Sequence, residues 1–267
     1  MVVGGNKPRN ANICKSPYSR GLDIMAVMLI LAIDTTSEEG GVGIFRDAEC
    51  LALVPNQGQA NQYSITLFEL VEKALAQAHL ELREIDLYAA ANGPGSFTGI
   101  RVGLAAAMAW GKAFDRPVRG VSVLEAMVRK AEPTSDLAFP IMDARRGEFF
   151  LASFHRKSSE VPAETQQHFA PSDEGWLFKP ESLRAFIQAR LNGGMSATYL
   201  VRANDRSAVD LRASLPASLK WQQVEGVLLN SIAEIARMGE QSGQSHPAAK
   251  LDAYYLRRPD AEVNWKD

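Results

Sequence analysis

The stretch Asn92-Gly93-Pro94-Gly95-Ser96-Phe97-Thr98-Gly99 joins an apolar run, Ile85 to Ala91, to a segment rich in glycine and alanine, Thr98 to Phe114. A short apolar run that ends in glycine and proline and then takes on helical composition reads as a strand, a tight loop and a helix. Free amides at a helix N-terminus, together with the helix dipole, form a seat for an anion. The same residues equally make a plain strand-to-helix turn with Ser96 or Thr98 as N-cap. Two better-known phosphate loops do not fit. No Gly-Lys-Ser/Thr follows, as a P-loop requires, and Thr98 stands where a dinucleotide fingerprint needs its third glycine.

The rest of the chain fits an α/β pattern around this unit. Leu29 to Ile33 reads as a buried strand, Asp34-Thr35-Thr36 as a turn, and Val42 to Phe45 and Cys50 to Val54 as two further strands. Leu67, Leu70, Val71, Ala74, Leu75 and Ala78 recur at helical spacing and place one apolar face on a helix over 62–80. Val118 to Val121 reads as a strand, with Ser122 capping a helix through Ala131. After the linker Glu132-Pro133-Thr134-Ser135, strands are expected at Leu137 to Met142 and Glu148 to Phe154 around the turn Asp143-Ala144-Arg145-Arg146-Gly147. Residues 156–180 read as irregular, Pro180 to Leu191 as a helix, Ala197 to Val201 as a strand and Val227 to Gly239 as a helix. Two halves that each open with paired strands suit a duplicated fold. The expected division is 28–133 and 134–225 as related subdomains, with 226–267 a helix and tail packing back on the body.

Composition narrows the function classes. The chain has 267 residues, 46% hydrophobic and 22% charged, enough apolar matter for a sizeable core. A formal net charge of −2 carries no basic excess, so any nucleic-acid role is expected to fall to a partner. Cys14 and Cys50 have neither disulfide-framework nor zinc spacing, which points to reduced thiols in the cytoplasm. The longest apolar run, Ile24 to Ile33, is too short to span a membrane. Residues 1–27 lack periodicity and read as a disordered extension, with Met25 or Met28 as alternative starts.

The segment from Asn92 to Gly103 resembles the Gly-Pro-Gly-Ser-Phe-Thr-Gly-x-Arg-x-Gly signature of the TsaB family, also called YeaZ, a glycoprotease-like group. Ile30 to Ser37 is similar to that family's opening, Asp143 to Phe150 to its Asp-Ala-Arg-x-Gly-Glu-Val-Tyr, and Tyr255-Leu256-Arg257 to its C-terminal motif. The resemblance covers roughly 29–265, and it departs where Gln62 stands in place of a histidine often found at the start of the first helix. It implies an actin-like (ASKHA) fold with two related subdomains, each a mixed sheet with packing helices. It further implies a catalytically silent subunit that pairs with the paralogue TsaD and joins the small ATPase TsaE. That machinery makes threonylcarbamoyladenosine beside the tRNA anticodon, with tRNA reached through TsaD. A homodimer is the alternative state of the chain alone.

The chemistry that an active relative would need is thin. No two of His79, His155, His168 and His246 are four residues apart, so a His-x-x-x-His metal pair is missing and no metal is expected. Asp34, Thr35 and Thr36, with Gly95 and Ser96, can build a first phosphate loop, although Asp and Thr also make such turns by bonding their own backbone. Asp143 and Arg145 stand at the second phosphate position, where Arg145-Arg146 replace the expected small residues. The strand ending at Val201 runs into Arg202-Ala203-Asn204 with no adenosine-binding glycines, and Asn192-Gly193-Gly194 reads as a helix end. These loops are therefore read as degenerate, with no cofactor and no catalytic residues. The competing reading is an ATP-dependent small-metabolite kinase. A partner-docking face is expected on the small-residue stripe Gly99, Gly103, Ala107 and Gly111, with Leu67 and Val71 of the preceding helix beside it. Deleting 1–27 is expected to leave the melting temperature within a few degrees of the full chain. A large drop in differential scanning calorimetry would show that the extension packs on the body.

Overall fold

The computed structural model describes residues 27–56, 62–157, 169–172, 175–191 and 194–243. The extension 1–26, the tail with Tyr255-Leu256-Arg257, and Cys14, His168, His246, Asn192 and Gly193 lie outside the described residues.

Two sheets carry the same topology. The first contains β1 (Leu29–Asp34), β2 (Gly41–Arg46), β3 (Glu49–Pro55), β4 (Leu87–Gly93) and β5 (Val118–Ser122), in the order β3-β2-β1-β4-β5. β1, β2 and β3 are antiparallel neighbours, whereas β1, β4 and β5 run parallel. The second repeats this with β6 (Leu137–Asp143), β7 (Phe149–Leu151), β10 (Trp176–Phe178), β11 (Ala197–Arg202) and β12 (Lys220–Val224), in the order β10-β7-β6-β11-β12 and with the same sense of pairing. β8 (Phe154–Arg156) and β9 (Phe169–Pro171) extend it through β6.

The helices are α1 (Tyr63–Ala78), α2 (Phe97–Phe114), α3 (Val123–Ala131), α4 (Pro180–Arg190), α5 (Arg206–Asp210) and α6 (Leu229–Gln241). They fall into three layers that alternate with the sheets. α1 and α2 cover the outer face of the first sheet, where Leu31, Ile33, Tyr88 and Ala90 meet Leu67, Leu70, Ile100 and Ala107. α4 and α5 cover the outer face of the second, where Phe139, Ile141, Tyr199 and Val201 meet Leu183, Ile187 and Ala208. Between the sheets lie α3 and α6. Their residues Leu124, Met127, Ile232 and Ala236 form one core with Ile30, Ala32, Leu87 and Ala89 of the first sheet and Ala138, Met142 and Leu200 of the second.

That arrangement explains why β1 and β4 read as unbroken apolar runs. Alternate residues enter opposite cores, Ile30 and Ala32 the shared one, Leu31 and Ile33 the outer one, so neither face is left to water. α3 and α6 are also cross-linked: the Arg129 guanidinium grips the Glu234 carboxylate with Nε 2.8 Å from Oε2 and Nη2 on Oε1. Among the described residues no helix is long and apolar enough to cross a membrane.

Several local expectations need correction. The strand expected over 148–154 is two strands, because the chain leaves β6 at Ala152-Ser153 and returns to it further along: β7 pairs with Ile141–Asp143 and β8 with Leu137 and Ala138. β9 and β10 lie in a stretch read as irregular, and their three-residue lengths leave no periodicity to detect. α5 and β12 were not expected at all. β12 is an edge strand whose sequence, Lys-Trp-Gln-Gln-Val, buries only Val224. Ser122 does occupy the N-cap of α3, but its side chain makes no capping hydrogen bond. Ile232 is fully buried in the core that both sheets share. Ile232→Ala is expected to cost about 2–5 kcal/mol, read as a lower urea midpoint with one cooperative transition for the whole chain.

Candidate functional site

The polar residues singled out in the sequence gather where the parallel strands of each half end. Asp34 is the last residue of β1 and is fully buried. Its Oδ1 accepts from the Thr36 amide at 2.9 Å and from Thr36 Oγ1 at 2.6 Å. Its Oδ2 is buried with no hydrogen-bond partner among the described residues. Tyr63, from the start of α1, closes the turn by donating its hydroxyl to Ser37 O at 2.8 Å. Burial, and after it the Asp34 charge, pushes the Tyr63 phenol well above its ordinary value, so the hydroxyl stays a donor.

The loop before α2 lies directly against this turn. Thr35 Oγ1 donates to Gly99 O at 2.6 Å, and the Ser96 amide donates to Thr36 O at 2.7 Å. Ser96 Oγ in turn caps the helix by accepting from the Gly99 amide at 3.3 Å. Glycine is required by contact: a Cβ on Gly95 would come within 2.6 Å of Thr36 O, and one on Gly99 within 1.9 Å of Thr35 O. The amides of Ser96 and Gly99 are thus committed inside the protein, which favours the turn reading of this loop over an anion seat.

Asp143 ends β6 as Asp34 ends β1, and it makes the same local turn. Its Oδ1 accepts from the Arg145 amide at 2.7 Å, two residues on. Behind it, Asp205 caps α5 through the Ala208 amide and accepts from the Asp143 amide at 2.7 Å. Burial raises the Asp205 carboxyl above the ordinary range, and those two amides offset part of the effect. Arg145, Arg146 and Gly147 follow with φ of 64°, 58° and 74°, a left-handed turn that holds both arginines exposed. A phosphate-wrapping loop at this position needs small residues close to the ligand, and two arginines in this turn do not supply them.

An ion pair joins the end of β11 to the turn after β1. Arg202, the last residue of β11 and 4% exposed, reaches the turn between β1 and β2. Its Nη2 lies 2.5 Å from Glu39 Oε2 and 3.2 Å from Gly226 O. Neither Glu39 nor Arg202 was singled out as a pair in the sequence, and a separation of 163 residues left no signal to find it. Among the described residues no group of three or more His, Cys, Asp or Glu side chains is placed to hold a metal ion.

The expected docking stripe turns inward. A Cβ on Gly103 would meet Thr35 Oγ1 at 2.4 Å and one on Gly111 would meet Val118 Cγ2 at 2.1 Å, while Ala107 is fully buried. Gly99, Gly103, Ala107 and Gly111 therefore let α2 sit on the chain's own sheet, and Leu67 and Val71 are buried beside them. No second molecule can reach them without unfolding this layer. The apolar surface lies elsewhere on the same helices: Ile65 is 71% exposed and Phe68 58% exposed, with the Phe68 ring edge-on to Trp110 of α2 at 6.0 Å. The sequence signal was the presence of Ile65 and Phe68 off the buried stripe of α1, where a surface helix should be polar. Gly103→Leu with Ala107→Leu is expected to destabilise the isolated chain by about 3 kcal/mol or more, seen as a large fall in melting temperature. A variant that kept its stability would return the stripe to the surface.

The model of the family described as TsaD, tRNA N6-adenosine threonylcarbamoyltransferase, matches residues 53–182. The chain is 32% identical over 133 residues to the tRNA threonylcarbamoyladenosine biosynthesis protein TsaB of Bacillus subtilis, covering 49% of this chain and 57% of that one. It is 33% identical over 141 residues to the protein of the same description from Escherichia coli, covering 50% and 58%. The chain thus matches less than two thirds of the length of these curated relatives. The solved structure of YeaZ from Pseudomonas aeruginosa superposes with a TM-score of 0.66 at 19% identity, covering 86% of this chain and all of that one. That likeness, with the repeated β3-β2-β1-β4-β5 order, makes the fold the actin-like ASKHA fold. By relatives, fold and motif order, the chain is similar to the proteins described as TsaB and YeaZ.

Proposed function

We propose that the chain is a non-catalytic subunit of the machinery that forms threonylcarbamoyladenosine in tRNA, and that it works by docking a TsaD-type transferase. The reading rests on its relatives, whose names place them in that biosynthesis. The observation that carries the docking role is the exposed apolar patch of Ile65 and Phe68, backed by Trp110. One surface helix, α1, with large apolar side chains at 71% and 58% exposure fits a helical partner laid along it. In this reading TsaE joins the pair, tRNA is held by the transferase, and the assembly is cytoplasmic.

The kinase alternative asks the cleft to hold ATP. Against it count the Arg145-Arg146 turn, with two charged side chains in place of small residues, and the pairing of Arg202 with Glu39. With ATP, magnesium and sugars or acetate the purified chain is expected to show no turnover. Ile65→Asp with Phe68→Asp is expected to leave the melting temperature of the isolated chain within a few degrees and to abolish co-elution with the transferase on gel filtration. An intact complex would move the docking face elsewhere, and phosphoryl transfer to a metabolite would favour the kinase.

A further inference from the structure

Arg202 is buried but incompletely satisfied. A guanidinium is a planar fork of five donors that matches two oxygens of one anion. Here Nη2 alone carries the contacts to Glu39 and Gly226, while Nε is buried with no partner among the described residues. A buried donor left without a partner is costly. Lys130, at the end of α3, lies in the same field and donates to Val227 O at 2.7 Å, next to the Gly226 carbonyl that Arg202 uses. Asp205 is the nearby acid on the other side, and both its oxygens are taken by the Asp143 and Ala208 amides.

Glu39 differs from Arg202 in being replaceable. It stands on the turn between β1 and β2, its side chain is 31% exposed against 5% for Arg202, and among the described residues its one polar contact is the single oxygen on Nη2. We propose that Arg202 is an anion seat that Glu39 fills from within the chain, and that a compact phosphate-bearing anion takes the seat when Glu39 is withdrawn. A tetrahedral oxyanion accepts from Nε and Nη2 together, which the carboxylate as placed does not. Glu39 is then a built-in competitor that keeps the wild-type Arg202 seat closed to phosphates, and the seat is latent rather than lost.

The probe is inorganic pyrophosphate added to the full chain at constant ionic strength. Wild type is expected to show weak binding by calorimetry. Glu39→Ala is expected to bind on the order of tenfold or more tightly, and its melting temperature, lowered by loss of the ion pair, to recover with pyrophosphate. Glu39→Gln, which keeps the size and one acceptor, is expected to fall between the two and carries the test if the alanine variant does not fold. Adding Arg202→Met to either variant is expected to remove the gain. Glu39 variants that bind no better than wild type would show the pair to be structural only, and a gain that survives Arg202→Met would place the anion elsewhere. Either result overturns the proposal, and neither touches the docking role of Ile65 and Phe68.

Discussion

The layer of α3 and α6 between the two sheets is the constraint on which the molecule depends. Each sheet has two apolar faces, and a parallel-strand sheet left open on one face would expose an entire row of branched side chains. The outer faces are covered locally, by α1 and α2 or by α4 and α5. The inner faces are covered by helices that both sheets share, so neither half can keep its core without the other. α6 follows the second sheet in the chain yet packs on β1, β2, β4 and β5 of the first. The Arg129–Glu234 fork fixes α3 and α6 relative to one another, with Arg129 only 17% exposed, which gives the pair more weight than a solvated surface bridge.

The placing of the polar turns is a consequence of this packing. Parallel strands emerging from two stacked sheets end on one side, and the turns that follow β1 and β6 bring Asp34 and Asp143 to corresponding places. Each aspartate accepts from the amide two residues on. The halves then diverge. In the first, Thr35, Thr36, Gly95 and Gly99 pack so closely that the loop amides are used within the protein. In the second, a left-handed turn presents two arginines. Arg202 at the end of β11 then meets Glu39 on the turn after β1.

Surface and interior on α1 and α2 follow the same logic. Small residues on α2 were a fair signal of close approach, because interior glycines cost about 1 kcal/mol each in a helix and need a reason. The reason is the turn that follows β1, where Thr35 occupies the space beside Gly99 and Gly103. With the stripe consumed by the sheet, Ile65 and Phe68 are left as the outward apolar residues.

The sequence by itself determined β1 to β5, α1, α2, α3 and α6 to within a few residues, since long apolar runs and helical spacing are local signals that burial on both sides makes strong. It also determined the turns at Asp34, Asn92 to Gly99 and Asp143, where glycine, proline and aspartate leave little conformational choice. Short strands such as β9, β10 and β12 escaped it, because three to five residues at a sheet edge carry no period. Only the tertiary structure decided which way the glycine stripe faces, which helices the two sheets share, and that Arg202 meets Glu39. Those outcomes depend on which surfaces meet after the chain has folded back across more than half its length, and a one-dimensional pattern records which faces are apolar but not what each one touches.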